Sequence, residues 1–287
     1  MSILELKNVS YAYSVGTPFA KKALDNVSVS FEANRITGLI GHTGCGKSTL
    51  VQLLNGLLSP SEGQVLFDGQ DVNEKGFDNK SLCFRVGLVF QYPEYQLFEE
   101  TVYADIAYGP KNMGLDEQEI DRRIRTAAEF VRIDPKLFDA SPFDLSGGQK
   151  RRVAIAGIMA MDPEVLILDE PAAGLDPVGR EEILGGIRSY QRRRGNTVII
   201  VSHSMEDMAR YSDRLVVMDH GRIAMEGDCA EIFSKTDALT SVGLDVPQIT
   251  RFMLALKHHG IDVRTDVFTV EQAREEILRI AGGNRHA

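Results

Sequence analysis

The chain has 287 residues and sets 32 Lys and Arg against 41 Asp and Glu, a formal net charge of −9. That balance excludes a broad nucleic-acid footprint, which needs a basic face, while the length allows one large core or a domain with an appendage. Cys45, Cys83 and Cys229 fit neither zinc spacing nor a disulfide framework, so a reducing compartment is expected; no signal-peptide layout opens the chain, and the apolar run 153–161 is about half a membrane span.

In chain order, 3–7 and 27–32 read as strands, and 36–40 as a buried strand that enters a knot of glycines. The pattern Gly41-x-x-x-x-Gly46-Lys47-Ser48, followed by helical spacing over 48–57, is a phosphate-binding loop. Glycines let successive N–H groups turn inward at one anion. The helix start adds donors and partial positive charge. Lys47 brings a mobile cation for the outer phosphates, and the Ser48 hydroxyl suits Mg²⁺. Gly41, His42, Thr43, Gly44, Cys45, Gly46, Lys47, Ser48 and Thr49 therefore form the nucleotide-binding loop. Cys45 lies near Lys47 at a helix mouth, which favours a thiolate if solvent reaches it, so a reactive cysteine is expected there. The alternative is a side chain turned into the core.

Strands follow at 64–67 and 86–90, then an amphipathic charged helix over 116–132. At LSGGQ, Ser146 suits an N-cap, and Gly147 and Gly148 expose backbone donors at the start of a helix over 148–161. That is a second anion site, about a hundred residues from the first. A buried strand, 165–168, ends in Asp169 and Glu170. Alone, such a pair reads equally well as a solvated turn. Beside a phosphate loop, Asp169 is placed to hold a nucleotide-bound Mg²⁺ and Glu170 to polarise the attacking water. A helix over 178–194 ends in three arginines, read as a solvated helix end before Gly195. Strands at 197–201 and 214–218 complete the pattern. Short apolar strands between helices argue for an α/β fold with a mainly parallel sheet, joined by an antiparallel flap from the strand-rich first ninety residues. A composition shift near 235 marks a smaller C-terminal piece.

From about residue 3 to 232 the sequence resembles the ATPase subunits of ABC transporters, with several motifs in the family's order. The resemblance implies a P-loop ATPase with a parallel core, an antiparallel β subdomain, a helical subdomain over about 92–162 and a small C-terminal extension, the cassette spanning 1–235 and the extension 236–287. It implies ATP and Mg²⁺ as cofactors. Leu145 to Gln149 match the signature, so Ser146, Gly147, Gly148 and Gln149 contact the ATP held by a second subunit. Gln91 matches a Mg²⁺ ligand that links to the membrane subunit, Asp176 an aspartate that crosses the dimer, His203 a switch histidine on the γ-phosphate, and Tyr13 an aromatic stacked on adenine. Lys47, Glu170 and His203 are then the catalytic set, and Ser48, Gln91 and Asp169 the metal set. Cys45 and Ala172 depart from the family's common serine and serine or threonine.

GTPFAKKAL at 16–24, QYPEYQLFEETVYADIAYGPKNMG at 91–114 and the signature stretch are similar to the ATPases of energy-coupling factor transporters, most like the second of two paralogues. Those import vitamins and metal ions. The resemblance implies a second ATPase subunit (a paralogue or a second copy), a transmembrane coupling subunit, a substrate-binding membrane subunit and a peripheral place on the cytoplasmic face of the membrane. Residues 93–98 then line a groove for a coupling-subunit helix, with Glu94 facing an arginine there. Other readings are a cobalt or nickel importer ATPase acting as a homodimer, a non-catalytic ATP-binding subunit, and a soluble ABC ATPase on ribosomes or damaged DNA. The single cassette and its short middle segment argue against the last.

Overall fold

The computed structural model describes residues 2–283. Its strands are β1 (Ser2–Tyr13), β2 (Lys21–Glu32), β3 (Ile36–Gly41), β4 (Glu62–Phe67), β5 (Gln70–Asp71), β6 (Val86–Val89), β7 (Val165–Asp169), β8 (Thr197–Val201), β9 (Arg214–Asp219) and β10 (Arg222–Asp228). Its helices are α1 (Lys47–Leu54), α2 (Asn79–Arg85), α3 (Val102–Asn112), α4 (Glu117–Phe130), α5 (Gly147–Ala160), α6 (Pro177–Arg194), α7 (Met205–Tyr211), α8 (Cys229–Ser234), α9 (Thr236–Ser241), α10 (Gln248–His258) and α11 (Val270–Gly283).

One sheet runs β10-β9-β3-β8-β7-β6, parallel except for β10, and a second runs β2-β1-β4-β5, wholly antiparallel. Every residue of β3, β7 and β8 is buried. Alternate side chains of these strands leave by opposite faces. Ile36, Ile40, Leu166, Leu168, Val198 and Ile200 pack with residues of α3 to α6, while Leu39, Val165, Ile167, Ile199 and Val201 pack with α1 and the antiparallel sheet. Truncating one such side chain, Leu168→Ala for example, costs about 2–5 kcal/mol. Two cores back to back hold the strand ends still, and the phosphate loop and both carboxylates sit at those ends.

The antiparallel flap and the parallel core stand as expected. Helix α1 stops at Leu54, short of 57, where the chain turns through Gly56 at φ 77°. Helix α3 carries no clear signal, because Gly109 and Pro110 fall within it; Thr101 caps it, accepting from Ala104 N–H at 3.1 Å. Arg193 pairs with Glu129 at 3.2 Å and Arg194 with Asp162, so the run of arginines is a solvated helix end. Beyond 235, Leu239, Val246 and Phe268 join the main core, while Met253, Val263, Val267 and Ala273 form a small core of their own. The last four residues of the expected extension lie outside the described residues. Among the described residues no helix is long and apolar enough to cross a membrane.

Candidate functional site

The loop between β3 and α1 is glycine-bound for two local reasons. A Cβ on Gly41 would lie 2.4 Å from the Met218 carbonyl, and one on Gly46 would lie 2.7 Å from the Ala23 carbonyl, each at positive φ. Lys47 Nζ donates to the carbonyls of Gly41 at 2.7 Å and His42 at 3.0 Å. Within the loop, Cys45 N–H donates to the His42 carbonyl at 3.3 Å. Tyr13, Lys21, Gly44, Gly46, Lys47, Ser48 and Thr49 line a cleft of about 210 Å³. The Tyr13 hydroxyl lies 3.1 Å from Thr49 Oγ1, and its ring meets Tyr11 edge-on at 4.9 Å. Lys21 was not singled out by the sequence. Its only signal was a place in the lysine pair that opens β2, where a cation reads equally well as a solvated strand end.

Cys45 corrects an expectation. It is 1 % exposed, packed in the core beneath Gly41, and burial pushes its thiol up despite Lys47 nearby. Desolvation of the thiolate outweighs the helix start and the lysine. Ala172 is likewise buried and turns no polar group toward the loop.

Asp169 ends β7, and Ser48 Oγ donates to its Oδ2 at 3.1 Å across 121 residues of sequence. Burial pushes the Asp169 carboxyl up, partly offset by the Ser48 bond. This oxygen-only pair suits a hard divalent ion such as Mg²⁺, which neutralises a carboxylate that is costly to bury alone. Glu170 is 9 % exposed and held at φ 52°, its N–H donating to the Val201 carbonyl at 2.9 Å. A non-glycine residue there carries strain of about 1–3 kcal/mol, a cost that clusters at functional sites. Its Oε1 lies 2.8 Å from Nδ1 of His203, whose side chain is mostly exposed. Parallel register explains the meeting. Asp169 pairs with Val201, so the residues just past both strand ends emerge together.

Gln91 lies two residues past Val89, as Glu170 lies two past its partner Leu168, and is exposed. Asp176 caps α6, accepting from Gly179 N–H at 2.7 Å. Ser146 and Gln149 form a reciprocal capping box on α5. An added Cβ on Gly147 would meet nothing within 4 Å, and one on Gly148 would meet only Leu175, at 3.5 Å. The space over these two glycines is open, unlike that at the loop glycines, which press on their own chain.

Glu94 is a second correction. Its carboxylate already meets an arginine inside the chain, pairing with Arg151 of α5 at 3.1 Å, so any outside arginine would share it. The segment still borders a groove of about 300 Å³ lined by Gln96, Leu97, Phe98, Tyr108, Val153 and Met161, among others. Tyr92, Tyr95 and Phe98 are exposed there.

Residues 24–173 match the ABC transporter family. The chain is 51 % identical over 278 residues to the energy-coupling factor transporter ATP-binding protein EcfA2 of Clostridium tetani, covering 96 % of each, and 50 % identical over 282 residues to that of Clostridium perfringens, covering 98 % of this chain and 99 % of that one. Among solved structures it is similar to cbiO1 of Clostridium perfringens, part of the ABC transporter complex cbiONQ, at TM-score 0.75 and 39 % identity over 88 % of this chain and 99 % of that one. The cassette MJ0796, solved as a dimer bound to ADP and Pi, aligns at TM-score 0.70 and 27 % identity over 79 % of this chain and 98 % of that one. A phosphate loop, a signature box on a helix start and paired carboxylates at a strand end, with full-length relatives of one kind, place the chain in the ABC transporter ATP-binding family, among the energy-coupling factor ATPases.

Proposed function

We infer that this chain is the ATP-hydrolysing subunit of an energy-coupling factor importer. The observation that carries the reading is the meeting of Glu170 with His203 beside Asp169 and Ser48. Lys47 and the loop donors receive the phosphates, Tyr13 the base. Glu170, nearly buried and anchored by His203, accepts a proton from water aimed at the γ-phosphate. Ser48, Asp169 and Gln91 would hold Mg²⁺, which would supply charge neutralisation on the phosphates.

The open space over Gly147 and Gly148 at the start of α5 supports a composite site, in which Ser146 to Gln149 close over ATP held by a second ATPase subunit. The dimer seen in MJ0796 supports the same reading. Asp176 lies at that interface. The groove beside Phe98 takes a helix of a transmembrane coupling subunit, which joins a substrate-binding membrane subunit. The chain then sits peripherally on the cytoplasmic face of the membrane. Residues 1–235 form the cassette, with a helical subdomain over about 92–162, and 236–287 an extension.

The test is the concentration dependence of hydrolysis. Activity per subunit of the purified chain should rise with concentration or with added paralogue. Constant specific activity from a species shown to be monomeric would sink the composite site. Failure of Mg-ATP to bind would sink the function.

A further inference from the structure

Strands β3 and β9 run parallel, with Gly41 paired to Met218. The next residues, His42 and Asp219, therefore lie side by side at the ends of the two strands, and His220 follows in the turn to β10. This turn is latched to the phosphate loop, because Gly221 N–H donates to the Cys45 carbonyl at 2.9 Å.

His42 Nε2 lies 3.0 Å from Asp219 Oδ1, and His220 Nε2 lies 3.7 Å from the same oxygen. The three ligating atoms all fall within 4.8 Å of one another. Tetrahedral ligands at metal distance sit about 3.3 Å apart, between those two separations. The other nitrogen of His42, Nδ1, is 3.0 Å from the Thr43 carbonyl. A neutral imidazole has a single N–H. Both ring nitrogens of His42 face acceptors, so in the neutral ring the nitrogen without the proton turns its lone pair toward an oxygen, a contact that a cation between them relieves. A second proton would serve His42 alone. It would not account for a second imidazole converging on the same carboxylate oxygen, with ring centroids 5.0 Å apart. Two imidazolium rings that close repel, whereas two neutral imidazoles and a carboxylate are a ligand set for a borderline divalent metal. The Thr43 carbonyl is then the outer partner that fixes the tautomer and turns Nε2 inward.

We propose that His42, Asp219 and His220 form a binding site for a divalent transition metal of the Zn²⁺, Co²⁺ or Ni²⁺ class, clipping the phosphate loop to the β9–β10 turn. It is separate from the Ser48–Asp169 pair, which is all oxygen and suits Mg²⁺. The His220 side chain is 84 % exposed and the others are half-buried, so the site has an open approach from solvent. A metal there ties the loop to the sheet edge through a side chain as well as through the Gly221 bond.

The experiment is a Zn²⁺ titration of untagged chain without nucleotide, by calorimetry, with Co²⁺ absorption as the spectroscopic check. One equivalent should bind, and Zn²⁺ should raise the Tm. His220→Ala, which alters only an exposed turn residue, should weaken that binding by about tenfold or more and keep its ATPase activity in buffer that contains Mg²⁺ and no transition metal. Asp169→Asn should bind Zn²⁺ like the wild type. Absence of saturable binding, equal binding by His220→Ala, or loss in Asp169→Asn instead would each overturn the site. None of these outcomes bears on ATP hydrolysis, so the proposed function stands or falls separately.

Discussion

Arg151 Nη2 lies 3.1 Å from Glu94 Oε1, and another nitrogen of the same guanidinium donates to the Ala173 carbonyl. Arg151 is 4 % exposed. A single buried cation thus joins the signature helix, the segment after Gln91 and the loop after Glu170. Movement of any of the three is felt by the other two through a stiff planar group.

Replacing Glu94 with lysine should then do more than weaken docking. It puts a second cation against Arg151 and strands a buried charge, which costs about 3–5 kcal/mol. The isolated chain should melt earlier and hydrolyse ATP more slowly, with Glu94→Gln between. Thermal melts without any membrane subunit check this. An unchanged Tm would mean that the pair carries no structural load.

Glu170→Gln should keep nucleotide binding and lower hydrolysis by about a thousandfold. Because Glu170 and His203 are bonded at 2.8 Å, His203→Ala added to Glu170→Gln should cost little more. Single-turnover hydrolysis beside nucleotide-binding measurements would show it, and fully additive losses would separate the two roles.

Asp169→Asn should abolish Mg²⁺-dependent hydrolysis yet stabilise the fold at neutral pH by about 1 kcal/mol. The sign follows from burial. The folded-state pKa is raised above the ordinary 3.8, so the stability this carboxyl contributes is full below 3.8 and lost as pH rises through the raised value. At neutral pH the native ion is the less stable choice, and the amide keeps a partner for Ser48. Melts at pH 7 and near pH 3 should show a gain that disappears in acid.

A brief maleimide pulse should label Cys83, which is exposed, and spare Cys45 and Cys229, where burial pushes the thiols up, Cys229 to about 12. Peptide mass spectrometry reads the sites directly. Label at Cys45 in the folded chain would contradict its packing under Gly41.

The catalytic centre was legible because its chemistry is spelled in local spacing. Gly46, Lys47 and Ser48 are consecutive, and Asp169 and Glu170 close a run of buried apolar residues, so strand ends and ligands announce each other. Fates that depend on tertiary neighbours were not legible. The sequence near Cys45 shows a lysine and a helix start but not the Met218 carbonyl that seals the loop from behind. Glu94 reads as an exposed acid in an aromatic stretch, and its partner Arg151 is 57 residues away. Helix α3 was hidden because its glycine and proline outweigh a buried set, Val102, Ile106, Ala107 and Pro110, that becomes visible only once the partner helices are in place. His42 is an unspecified position of its motif, and its neighbours Asp219 and His220 are brought to it only by the parallel pairing of β3 with β9.

Because the Lys47 ammonium already holds the carbonyls of Gly41 and His42, nucleotide entry is an exchange of acceptors. The hydrogen-bond count of that lysine barely changes, and the net gain comes from trading two neutral oxygens for anionic ones. Affinity drawn from charge in this way is open to screening. ATP binding should therefore fall as ionic strength rises while the loop keeps its shape. A Lys47→Met chain would lose two things at once, the cation for the phosphates and the brace across its own backbone, so its defect cannot be assigned to charge alone.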